Sequence, residues 1–183
     1  MRFPKPYADF VQRFRVPGGF LLLAAFVLLS HPTWDAMLKG LPLILAGIAL
    51  RVWAAGHLEK NQTLTISGPY AYTRNPLYLG SLIVTAGFVA GARSWMLAAI
   101  FTAAFILIYL PVIQQEGDHL SNIFPGYREY AARVPLLFPK PGPAGERPFR
   151  WEVFRRNKEH KAILGMAFGM AVLAAKIYWS GQA

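Results

Sequence analysis

The chain contains no cysteine, which rules out disulfides, thiolate metal sites and cysteine nucleophiles. Acid is scarce as well: nine Asp and Glu stand against 19 Lys and Arg, a net charge of +10. Charged residues of both signs make up only 15% of the chain, below the roughly 25% of soluble domains. Four scattered His, with no His-x-x-x-His or His-x-x-Glu-His spacing, provide no ligand set for a catalytic metal. No internal repeat is found. What is plentiful is apolar surface: 55% of residues are hydrophobic and the mean hydropathy is +0.33. The 183 residues therefore read as one integral membrane domain. Its cations lie beside hydrophobic spans, where anionic lipid headgroups are simpler partners than nucleic acid.

Five apolar spans are expected, over Pro17 to Ser30, Leu38 to Ala55, Leu77 to Gly91, Trp95 to Ile113 and Ala162 to Trp179. Arg13, Arg15 and an amphipathic lead precede the first, and no clean small-residue cleavage site follows it, so a signal peptide is not expected. Only Ala92, Arg93 and Ser94 separate the third span from the fourth, which predicts a tight antiparallel hairpin. The fold class predicted is an all-α five-helix membrane bundle with cytoplasmic loops. Gly87-x-x-x-Gly91 and Gly165-x-x-x-Gly169 offer faces for close packing within the bundle or between protomers, and leave the oligomeric state open. Pro139 to Pro148 reads as a linker. Phe149 to His160, alternating aromatics and cations, suits an interfacial helix that leads into the last span and either covers a site as a lid or lies on the membrane.

Sixteen of the 19 cations fall in the N-terminal lead, around the second-to-third connection, and after the fourth span; Lys39, Arg93 and Lys176 fall on the other side. This asymmetry predicts a cytoplasmic N-terminus, in the cell membrane, and puts two distant polar segments on the cytoplasmic face. The first, Gly68-Pro-Tyr-Ala-Tyr-Thr-Arg-Asn-Pro-Leu-Tyr-Leu-Gly80, is stiffened by Pro69 and Pro76 and abuts an apolar run. A rigid binding pocket and an aromatic interfacial anchor both fit it. The second begins with Gln114, Gln115, Glu116, Asp118 and His119, and continues through Phe124 to Tyr127 and Tyr130, which share a helix face. A carboxylate next to hydrocarbon, as at Glu116, is costly unless it is partnered, so it is a candidate functional group; a salt bridge to Arg74 or Arg133 is the structural alternative.

Gly68-Pro-Tyr70, Arg74-Asn-Pro-Leu-Tyr78-Leu-Gly80, the hydrophobic hairpin, Glu116-x-x-x-Leu120, Phe124, Tyr127-x-x-Tyr130 and Arg133-Val-Pro135 occur in an order that resembles the isoprenylcysteine carboxyl methyltransferase family. That group is similar to the phospholipid methyltransferases, and the resemblance covers about residues 45 to 139. It implies an S-adenosylmethionine-dependent membrane enzyme. Gln62, Thr63, Leu64, Thr65 and Tyr70 match the stretch that wraps the cofactor, Asn75, Pro76, Leu77 and Tyr78 match a His-Pro-x-Tyr core, and Glu116 matches the cofactor-binding acid. Carboxylates suit ribose hydroxyls or an ammonium, and tyrosine faces suit adenine or a sulfonium.

Three departures narrow the reading. Asn75 replaces the usual His and cannot titrate near neutrality, so no general-base role is assigned there. Gly117 stands where a second acid is common. Val112 stands where the eukaryotic enzymes carry the arginine for a prenylcysteine carboxylate, so methylation of prenylated protein is not supported. The expected reaction is methyl transfer to a lipophilic or amphipathic small molecule, with Arg74 or Arg133 holding an anionic acceptor; contact with lipid phosphate is the alternative for each. His57 and His119 read as structural. The alternative functions are a membrane reductase that uses NADPH on a sterol-like lipid, and a non-catalytic scaffold.

Overall fold

A computed structural model describes residues 3–142 and 147–181, and all the regular structure among them is helical. In chain order the helices are α1 (Lys5–Leu29), α2 (Trp34–Ala55), α3 (Pro76–Ala92), α4 (Trp95–Ala104), α5 (Leu110–Ile123), α6 (Tyr127–Arg133), α7 (Trp151–Arg156) and α8 (Glu159–Ser180). A 3-10 turn, Gly68–Ala71, precedes α3, and a π-helical segment, Phe105–Tyr109, joins α4 to α5. Among the described residues, three helices are long and apolar enough to cross a membrane: Trp34–Ala55, Trp95–Ile123 and Glu159–Ser180. The bent α1 makes up to four. Three to four of the five expected spans therefore meet the length and composition of a crossing among the described residues. The difference lies at α3, whose 17 residues fall short of the roughly 20 that a perpendicular crossing takes.

Several boundaries also move. The lead before the first expected span is itself helical, because α1 starts at Lys5 with Pro6 in its first turn, where a missing N–H costs nothing. The expected interfacial helix shrinks to the six residues of α7, after which Lys158 turns the backbone left-handed (φ 56) and α8 begins. The linker expected over Pro139 to Pro148 falls partly outside the described residues.

The chain divides into two compact units. In the first (Met1–Leu41, Thr85–His119 and Met170–Ala183), Phe26, Ala92, Leu97 and Leu173 form the buried core. The predicted hairpin is present: Arg93 adopts φ 52, and the Ser94 hydroxyl caps α4 by accepting from the Leu97 N–H at 3.3 Å. A Cβ placed on Gly40 would lie 2.3 Å from the Gly87 carbonyl oxygen and 3.2 Å from the Gly91 nitrogen, so α2 and α3 touch backbone to backbone, as the first glycine pair predicts. The second pair does not repeat this, since a Cβ on Gly165 would meet nothing within 4 Å. The Lys176 ammonium closes the end of α1, donating to the carbonyls of Val27 at 2.7 Å and Ser30 at 2.6 Å.

The π-helical segment has a local cause. Pro111 lacks an N–H and its ring crowds the carbonyl four residues earlier, that of Leu107. The ladder widens, with the Leu110 N–H bonding to the Phe105 carbonyl five residues back, and the Tyr7 hydroxyl donates to the Leu107 carbonyl at 2.7 Å.

In the second unit (Pro42–Val84 and Leu120–Gly169), α2 and α3 again meet at glycine: a Cβ on Gly47 would lie 2.6 Å from the Gly80 carbonyl. One turn further along α2, Arg51 donates from Nε and Nη2 to the two carboxylate oxygens of Glu159, at 3.0 and 2.6 Å. Its Nη1 donates to the Leu77 carbonyl at 3.1 Å and to the Ser81 hydroxyl. The start of α8, the end of α2 and the first turns of α3 are thus clasped by one guanidinium.

Candidate functional site

The polar block between Gly68 and Asn75 is shaped by its own sequence. Gly68 takes the left-handed φ of +57, and a Cβ there would strike the His57 ring at 2.6 to 2.7 Å, so both conformation and space demand glycine. Pro69 then sets the 3-10 turn, whose carbonyl accepts from the N–H groups of Tyr72 and Thr73, both at 3.2 Å. Gly68, Pro69, Tyr70 and Ala71 are all buried. Asn75 ends the block as the residue before α3, its carbonyl accepting from the Leu79 N–H at 3.0 Å, and Pro76 opens the helix at its first position.

Against this block lies a segment some 60 residues further along, a meeting of distant pieces that the sequence predicts. The Tyr130 hydroxyl donates to the Tyr70 carbonyl at 2.7 Å. The Arg74 N–H donates to the Pro135 carbonyl at 2.9 Å, and the Asn75 side-chain amide donates to the Leu136 carbonyl at 2.9 Å. The Lys140 N–H donates to the Tyr72 carbonyl at 3.0 Å. Tyr127 and Tyr130, both buried, pack edge to face with ring centroids 6.0 Å apart. Burial raises the Tyr130 pKa well above the phenol range, helped by Tyr127 and opposed by the Arg74 guanidinium, so this hydroxyl remains a neutral donor. The Arg74 Nε is buried with no hydrogen-bond partner, although the rest of the residue is half-exposed. A buried guanidinium N–H aimed at nothing is expensive, which makes Arg74 the group here most ready to accept an anion.

The Gln62 to Thr65 stretch is held by an acid that sequence reasoning passed over. Glu59 accepts from the Thr63 hydroxyl at 2.7 Å and pairs with Arg147 at 3.5 Å and with Arg150, while its N–H donates to the buried Thr65 hydroxyl at 3.3 Å. Gln62 is exposed and Leu64 half-buried. The strap from Phe149 to Asn157 covers the end of α2. The Arg150 N–H donates to the Gly56 carbonyl at 3.0 Å, and the Asn157 amide donates to the Ala55 and Leu58 carbonyls at 2.8 Å each. His57 sits between Trp53 and Phe149, its Nδ1 3.2 Å from the Ser67 hydroxyl, and burial lowers its pKa.

The remaining predicted residues are scattered. Tyr78 is half-buried on α3, and the Leu77 carbonyl is engaged by Arg51. Arg133 is exposed in the last turn of α6. Glu116 lies half-buried on α5, in the first unit.

A family model described as phospholipid methyltransferase matches residues 34–126. The chain belongs to the phospholipid methyltransferase family. Among its relatives are the cobalt-zinc-cadmium resistance protein CzcN of Cupriavidus metallidurans, 36% identical over 72% of this chain and 67% of the relative, and the nickel-cobalt-cadmium resistance protein NccN of Alcaligenes xylosoxydans xylosoxydans, 33% identical over 75% and 70%. No solved structure matches the chain. The family match takes in Gln62 to Tyr78 and Glu116, and ends just before Tyr127. The segment that carries Tyr130 and Leu136 lies beyond the matched residues. Its signal in the sequence is the pair Tyr127 and Tyr130 on one helix face, a pattern that by itself points first to an aromatic belt.

Proposed function

We propose that this protein transfers a methyl group from S-adenosylmethionine to a nucleophile on a lipophilic or amphipathic small molecule at the membrane. Family membership supports membrane methyl transfer as the reaction class. The observation that carries the finer reading is the junction of the Gly68–Asn75 block with the Tyr127–Lys140 segment, which leaves a buried guanidinium N–H of Arg74 unsatisfied beside two buried tyrosines. This donor set fits the group the family implies. Thr65 and Tyr70 on the turn side and Asn75 to Tyr78 at the start of α3 would hold the cofactor, whose sulfonium supplies an already activated methyl; a cofactor-binding role for Glu116 rests on the family resemblance alone.

The chain's own residues then have modest tasks. The Tyr130 hydroxyl, kept neutral, fixes the Tyr70 carbonyl and with it the buried 3-10 turn. The Asn75 amide ties the start of α3 to the Leu136 carbonyl, a positioning role that needs no titration. Arg74 orients an anionic acceptor by a charge-assisted hydrogen bond, and Arg133, at the exposed helix end, draws such acceptors from the surface. Alignment and exclusion of water do most of the work in a displacement of this kind, so no acid or base is assigned. The site faces the cytoplasm, where the Lys and Arg bias puts both polar segments.

The test is calorimetry on the detergent-purified protein. Saturable binding of S-adenosylhomocysteine with no binding of NADPH is expected, and the reverse pattern refutes the proposal in favour of a reductase. A methyl-tritium transfer assay against a total lipid extract then identifies the acceptor.

The relatives' names favour a second, compatible reading, in which the methylated product contributes to metal resistance. Expression in a metal-sensitive host distinguishes the two: protection that survives Glu116→Ala and Arg74→Ala would mean that methyl transfer is not its basis.

A further inference from the structure

The start of α1 and the residue Phe3 before it hold the Trp95–Ile123 span at two levels, one at Leu107 and one at Gln114 and Gln115. The Tyr7 hydroxyl donates to the Leu107 carbonyl at 2.7 Å. The Phe3 N–H donates to the Gln114 Oε1 at 3.0 Å, and the Gln115 amide donates to an Asp9 carboxylate oxygen. These contacts bridge about 100 residues of sequence and end at the two residues immediately before Glu116. The Tyr7 end of the grip falls in the π-helical segment, where one extra residue is accommodated per turn. Each residue of an α-helix advances by about 100°, so this insertion rotates everything after it, Glu116 included, by about that angle relative to an uninterrupted helix.

A π-helical turn is metastable, because it forgoes regular ladder bonds and leaves a carbonyl to find another donor. Pro111 creates that carbonyl and Tyr7 satisfies it. Asp9 and Phe3 then hold the amides of the next turn in the rotated register. Neither Tyr7 nor Asp9 belongs to the motif-bearing stretch, and both precede the region matched by the family model, which starts at residue 34.

We propose that Tyr7 and Asp9 are positioning residues for Glu116, so that the first turns of α1 set the direction in which the cofactor-binding carboxylate projects. The inference rests on the methyltransferase reading, since it gives Glu116 a ligand to face. Tyr7→Phe removes only the hydroxyl and keeps the ring. It lowers S-adenosylhomocysteine affinity by about fivefold, the ratio set by one lost hydrogen bond of ordinary strength. In a Glu116→Gln background the same change has no further effect, because there is no carboxylate left to aim. Asp9→Asn, which keeps an acceptor for the Gln115 amide, binds as the wild type does, whereas Asp9→Ala behaves like Tyr7→Phe.

The experiment is calorimetric titration of the full chain in detergent for wild type, Tyr7→Phe, Glu116→Gln and the double variant, with amide exchange measured over residues 108–117. Faster exchange in Tyr7→Phe over that stretch, together with the non-additive affinities, supports the clamp. Unchanged affinity in Tyr7→Phe, an equal loss in both backgrounds, or unchanged exchange overturns it while leaving the methyltransferase reading intact. A wild type that binds no S-adenosylhomocysteine overturns both.

Discussion

Removing Arg51 should unfold this protein far more readily than removing Arg51 and Glu159 together. The side chains of the pair are only 15% and 10% exposed, so both charges have left water. Arg51 makes both hydrogen bonds recorded for the Glu159 carboxylate, and Arg51→Met therefore strands a desolvated anion, at a cost of about 3–5 kcal/mol. Glu159→Gln is milder, about 1–3 kcal/mol, because the guanidinium keeps the Leu77 carbonyl and the Ser81 hydroxyl and gains a neutral acceptor. The double variant Arg51→Met/Glu159→Leu replaces the pair by apolar surface of similar volume and should lie within about 1 kcal/mol of wild type. For a chain of this length the Arg51→Met loss lowers the midpoint by roughly 6–20 °C. Thermal unfolding in detergent, followed by intrinsic fluorescence, measures all three variants. Single-variant costs that simply add in the double, or an Arg51→Met midpoint within about 2 °C of wild type, would refute the argument that the pair is a desolvated clasp.

Three further outcomes are expected. Tyr130→Phe should cost about 1–3 kcal/mol by leaving the buried Tyr70 carbonyl without its donor, and should weaken S-adenosylhomocysteine binding in calorimetry. Gly47→Ala should cost about 1–3 kcal/mol in thermal unfolding, because its methyl meets the backbone of Gly80 and Val84 at 2.6 and 2.8 Å, whereas Gly165→Ala, with open space around it, should be neutral or slightly stabilising. Burial lowers the folded-state pKa of His57 below its ordinary 6.5, so the unfolded chain takes up this proton first. Stability should therefore be full above about pH 6.5 and fall as pH drops through that value, levelling off below the folded-state pKa, and His57→Phe should flatten the profile.

Length and hydropathy were enough to find α2, the Trp95–Ile123 run and α8, because a run of apolar side chains long enough to cross a bilayer has few other fates. The hairpin at Ala92 to Ser94 was legible for a similar reason: three residues between two such runs leave no room for anything else. Hydropathy could not reveal the widened turn before Pro111, since one inserted residue changes the rotation of a helix without changing its apolar content. Charge counting grouped Arg51 with the cations expected on one membrane face but missed its partner, because Glu159 lies 108 residues away and an isolated Glu at a helix start looks like any first-turn acid. The site shows the same division. Gly68, Pro69 and Pro76 announced a rigid turn through their own backbone preferences, whereas the bond from the Asn75 amide to the Leu136 carbonyl, 61 residues away, had no local signal. That Tyr130 would bond to the Tyr70 carbonyl was not written in any local pattern, because it depends on how α6 is laid against the turn.

The ammonium of Lys176 has a consequence for how the molecule is made. The carbonyls it caps end α1, while the lysine lies on α8, 146 to 149 residues later. During translation α1 must therefore wait for all of the intervening chain with an unsealed end, and its completion depends on a contact made late. Nascent chains arrested before residue 176 should expose that end to proteases, and chains extended past α8 should bury it.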